Sequence, residues 1–173
     1  MTVHPTLLNS CASAATAAEA RYRIDAAPGT QTARATRVVA LDDGAASIVR
    51  PLPGQPWQGA HFLRYAGQEV RLAPDRELAD VALTTADGDE VTLTDELAAA
   101  DFVMMIATTG AGSSAAAAIG IACTLRGIMT AGVILDQGED VTDAVTALRP
   151  HARVLLVSKD QRDVSGVLTA LGA

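Results

Sequence analysis

Hydrophobic and polar positions along this chain change their rhythm twice, dividing it into three stretches. Leu7 to Arg23 is alanine-rich, with Asn9 or Ser10 available as N-cap, and predicts a helix that Pro28-Gly29 ends. From Ala33 to Thr94 the pattern is one of short apolar runs broken by turn residues. Arg37 to Leu41 and Ser47 to Val49, separated by Asp42-Asp43-Gly44, read as a hairpin, and Val81 to Thr85 and Val91 to Thr94, separated at Asp87-Gly88, read as a second. Between them, Pro51, Pro53, Gly54 and Pro56 form an irregular loop leading to Trp57 and a strand at His61 to Tyr65.

Beyond Thr94 the pattern alternates strand and helix. Thr94 is placed to cap a short helix over Asp95 to Ala100, with acidic residues in its first turn. Phe102 to Ala107 is an unbroken apolar run of the kind a buried parallel strand shows. Ser113 or Ser114 would cap a helix from Ala115 to Arg126, and Gly127 would stop it. Strands at Thr130 to Leu135 and Arg153 to Ser158 alternate with helices at Val141 to Leu148 and Val164 to Leu171. Strand–helix units in succession imply a parallel sheet. The fold class expected is therefore α/β, with a Rossmann-like parallel sheet in the C-terminal half (94–173) and a helix plus β-rich antiparallel region before it (1–93). No clear linker separates the halves, which leaves open one continuous domain.

Composition adds three constraints. The chain has 173 residues, 49% of them hydrophobic but only 3% aromatic, so the core must be built from Ala and Val in closely packed elements. The formal net charge of −7, without a basic cluster, argues against nucleic acid and anionic membranes as partners. Cys11 and Cys123 are too few and too distant for a disulfide framework or a zinc site, and no run approaches a membrane span, so a cytoplasmic protein is expected.

The chemistry concentrates between Asp101 and Asp136. There a predicted strand runs into Thr108-Thr109-Gly110-Ala111-Gly112-Ser113-Ser114 and then into a helix. Unpaired N–H groups and the positive end of the helix dipole converge at such a turn and make an anion site. Gly110-x-Gly112-x-x-Ala115 resembles the dinucleotide-binding fingerprint, and Asp136, ending the next strand, is spaced to meet a ribose hydroxyl. Leu97 to Met104 resembles the helix, acidic turn and strand in the interior of many nucleotide-binding α/β sheets. The hydroxyls of Thr108, Thr109, Ser113 and Ser114 resemble the phosphate grip of sugar-phosphate isomerase-type domains. Tubulin-like division GTPases also place a Gly/Thr loop here, with a longer glycine-threonine run. The residues singled out for a nucleotide, dinucleotide or other small anionic ligand are thus Thr108, Thr109, Gly110, Gly112, Ser113, Ser114 and Asp136. An equally weighted reading makes the glycines and serines architectural, as positive-φ, close-packing and capping residues.

No catalytic constellation emerges, and whether the chain is an enzyme stays open. His4, His61 and His151 lack metal-ligand spacing, His61 lies near Trp57 and Phe62 in sequence, and Asp87, Asp89 and Glu90 read as a solvated hairpin tip rather than a calcium loop. The expected function is small-molecule binding, or an enzyme built on it, at the Gly110–Ser114 loop. The alternative is a noncatalytic structural or regulatory subunit. Thin, alanine-rich elements favour self-association, with Trp57 either anchoring that contact or tucked over its own domain.

Overall fold

A computed structural model describes residues 34–67, 81–138 and 140–173. The expected helix at Leu7 to Arg23, together with His4 and Cys11, lies outside the described residues. The elements in chain order are β1 (Thr36–Ala40), α1 (Asp43–Val49), β2 (Ala60–Tyr65), β3 (Ala82–Thr85), β4 (Glu90–Thr92), α2 (Leu93–Ala98), β5 (Phe102–Ala107), α3 (Ser113–Arg126), β6 (Met129–Leu135), α4 (Thr142–Leu148), β7 (Val154–Ser158) and α5 (Arg162–Leu171). A 3₁₀ turn at Leu52–Gly54 follows α1.

The seven strands of the described residues join one sheet in the order β4-β3-β2-β1-β5-β6-β7. The pairs β1–β2, β1–β5, β5–β6 and β6–β7 are parallel, and only β2–β3 and β3–β4 are antiparallel. The two halves of the chain therefore share one hydrogen-bonded sheet, with β1 of the first half paired to β5 of the second. Cores lie on both faces, making an α/β sandwich with helices on either side. On one face Val39, Val103 and Met105 pack under Ala115, Ala118, Ile119 and Ala122 of α3 and Leu148 of α4. On the other Val38, Met104 and Ile106 pack under Ala45, Ile48 and Val49 of α1 and Val164 and Leu168 of α5. The period-2 alternation of Val38, Val39, Met104 and Met105 between the two cores is what a doubly covered strand requires, and it explains why β5 reads as a continuous apolar run.

The first expected hairpin is a βαβ unit instead. Asp42-Asp43-Gly44 is not a hairpin turn but a helix start, because the Asp42 side chain accepts the Ala45 N–H and caps α1. Ala45, Ile48 and Val49, spaced for one helical face, then bury against the sheet. The second hairpin is present as β3–β4, with Gly88 at φ +96° at its tip and the Asp89 N–H bonded to Thr85 Oγ1. α2 starts two residues earlier than Thr94 implies, since Thr92 supplies the cap by accepting the Asp95 N–H.

One further reading is corrected in α3. Ser113 and Ser114 lie inside its first turn rather than capping it, the N-cap position being Gly112, whose carbonyl accepts the Ala116 N–H. Gly127 does stop the helix, at φ +70°. Trp57 is turned onto its own domain: its indole N–H donates to the Leu52 carbonyl at 2.7 Å, and its ring packs on Phe62 with centroids 6.0 Å apart. His61 points to the opposite face, where its Nδ1 lies 3.4 Å from Glu96, the partner of the buried Arg37 at 2.6 Å. No helix among the described residues is long and apolar enough to cross a membrane.

Candidate functional site

Strand order reverses direction at the β1–β5 boundary: the chain leaves β1 toward β2 on one side and leaves β5 toward β6 on the other. In open α/β sheets the crevice outside the carboxyl ends of the strands at such a switch point is where ligands sit. Two loops meet there, Leu41–Asp43 after β1 and Thr108–Gly112 after β5.

Asp42 joins them. One carboxylate accepts the N–H groups of Ala45, Thr108 and Thr109 at 2.8, 2.8 and 2.9 Å, and the hydroxyls of Thr108 and Thr109 at 2.7 and 3.3 Å. Burial pushes the Asp42 carboxyl up, but these donors together outweigh it and hold the group below its ordinary value. The converging donors expected to cradle an anion at Thr108 and Thr109 are thus already satisfied, and the anion is the protein's own. An Asp-x-x-Ala start ahead of an apolar i, i+3, i+4 set was the signal for the cap. Nothing local announced the contact to Thr108, since those partners lie 66 residues apart in sequence.

The glycines of the loop serve close approach, not positive φ. Gly112 has φ −89°, and a Cβ built on it would lie 2.5 Å from the Leu41 carbonyl oxygen and 2.6 Å from Leu41 Cβ. A Cβ on Gly110 would lie 2.7 Å from Asp143 Cβ of α4. Across the switch point, Gly44 is required by the Thr108 side chain, which a Cβ there would overlap. These absent side chains let α3 begin directly over the carboxyl edge of the sheet, beside α4.

Two clefts flank the loop. The larger, about 540 Å³, is lined by Asp42, Asp43, Arg64, Tyr65, Ala111 and Ser114, among others. Arg64 pairs with the exposed Asp43 at 2.7 Å across its mouth. The second, about 480 Å³, lies on the α4 side between Thr109, Gly110, Ser113 and Asp143, with Ala111 shared by both. The structure therefore brings Thr108, Thr109, Gly110, Gly112, Ser113 and Ser114 together at the switch point. Asp136 follows β6 on the same edge of the sheet but lines neither cleft. Its carboxylate accepts the Gly138 N–H at 2.8 Å and lies 3.4 Å from Lys159 Nζ, contacts that lower its pKa, the Gly138 bond foremost. No group of three or more His, Cys, Asp and Glu side chains placed to hold a metal occurs among the described residues. No protein-family model, curated protein or solved structure matches the chain.

Proposed function

We propose that the chain binds a nucleotide or a comparable phosphate-bearing small molecule at the switch point, with the phosphate over the first turn of α3 at Ala111 to Ser114. The position of that turn carries the reading: Gly110 and Gly112 bring the positive end of a 14-residue helix to the carboxyl edge of the sheet, beside the exposed hydroxyls of Ser113 and Ser114. Asp42 then shapes the loop rather than the ligand. Calorimetric titration with ATP, GTP, NAD and inorganic phosphate tests this. At least one nucleotide should bind saturably, and Ala111→Glu, an exposed change that sets a carboxylate between the clefts, should weaken it at least about tenfold without loss of fold. Absence of saturable binding by all four would remove the site.

Asp136 makes a separate arm of the same experiment. If it holds a ribose hydroxyl, Asp136→Ala weakens nucleotide binding about tenfold while phosphate binding stays unchanged. If it only closes the Gly138 turn, the melting temperature moves and affinity does not.

One observation favours a second reading, a noncatalytic structural or regulatory subunit: the N–H groups best placed for a ligand anion are occupied by Asp42. On that reading the loop is architectural, and sedimentation should show self-association or a partner while nucleotides leave the chain unaltered.

A further inference from the structure

On the face of the sheet that carries α1, a cavity of about 240 Å³ lies between α1 and the β3–β4 hairpin. Its origin is topological. Antiparallel strands need no crossover helix; among the described residues β3 and β4 bring no helix to this face, and no residue of either strand joins the core beneath α1. The packing of α1 consequently ends over β2 and leaves a recess.

The recess has an apolar floor made by Ala40, Val49 and the buried Phe62. Its polar lining includes Thr84, on the same face as Phe62 and Arg64, and two guanidinium-bearing residues, Arg50 and Arg64, with no carboxylate among the described lining residues. In a chain of net charge −7 this pairing of cations stands out. Arg64 is engaged by Asp43, whereas Arg50 has no ion-pair partner among the described residues. A planar guanidinium fork beside a hydroxyl suits a carboxylate, and the floor suits a short hydrocarbon body. The volume falls below that of drug-sized sites, which run from about 300 Å³ upward.

We propose that this cavity is a binding site for a small amphipathic monocarboxylate, with its carbon body on Val49 and Phe62 and its carboxylate on Arg50 beside Thr84. The site shares Arg64 with the larger switch-point cleft but opens on the α1 face of the sheet, and it does not depend on a nucleotide binding at that cleft.

Hexanoate and its neutral counterpart hexanamide, titrated into the full chain and followed by amide chemical shifts, test the assignment. Hexanoate should move the resonances of Ala46, Val49 and Thr84 saturably, with hexanamide at least about tenfold weaker, the factor for one charge-assisted hydrogen bond. Arg50→Gln, an exposed substitution at the end of α1, should weaken hexanoate about tenfold. Ala46→Leu, which fills the cavity from α1, should remove binding. Equal affinity for hexanamide, an Arg50→Gln or Ala46→Leu chain that binds as before, shifts that never saturate, or shifts centred on Ser114 would each overturn it.

Discussion

Asp42→Ala is expected to destabilise the fold by about 3 kcal/mol at neutral pH, because one substitution removes a helix cap and strands the donors of a second loop. The cap alone accounts for about 1 kcal/mol, and loss of the charge-assisted hydrogen bonds from the N–H groups of the half-buried Thr108 and the exposed Thr109 adds about 1 kcal/mol each. Asp42→Asn should lie between, since its amide keeps one acceptor while turning a donor toward other donors. The same contacts set a pH dependence. The carboxyl is held below its ordinary value of 3.8 in the folded chain, so its contribution is complete above that value and is lost as the pH falls through the lower folded-state value. Urea midpoints measured from neutral to acid pH should show the wild type losing this increment in acid and Asp42→Ala lacking it throughout. Equal midpoints for the two chains at neutral pH would mean that the carboxylate does not hold the loops together.

Gly112→Val should lower stability by at least about 3 kcal/mol and abolish any ligand binding only as a consequence of that. The atoms a side chain would strike are the Leu41 carbonyl oxygen and Cβ at the end of β1, and Leu41 N–H is itself tied to the Ile106 carbonyl, so β1 has little room to retreat. The substitution thus probes packing between α3 and the sheet, not access of a phosphate to the backbone. Ala111→Glu is the cleaner probe because Ala111 is exposed. A Gly112→Val chain that melts with the wild type would show that α3 does not start where the close approach puts it.

Which parts of this molecule were legible in its sequence follows from how far apart the deciding partners lie. β5, β6 and β7, their helices and the glycine turn were readable because apolar period, caps and stops act over a few residues: Phe102 to Ala107 is apolar throughout, and Gly127 takes the left-handed conformation that ends α3. The β3–β4 hairpin was announced in the same way by Asp87-Gly88. By contrast, Asp42-Asp43-Gly44 satisfies the local pattern of a hairpin turn as well as that of a helix start.

By itself the sequence determined an α/β fold, the strand–turn–helix at Thr108 to Ser114 and the alanine faces that let α3 lie close on the sheet. Only the tertiary structure decided that β1 pairs with both β2 and β5, which places the switch point, and that Asp42 occupies the donors of a loop 66 residues away. It also decided that Gly110 and Gly112 are small because of Asp143 and Leu41 rather than because of their own φ. The physical reason is common to all three: local conformational preference extends over a turn or two, whereas satisfaction of buried donors and steric clearance depend on whichever distant residue the sheet order brings alongside.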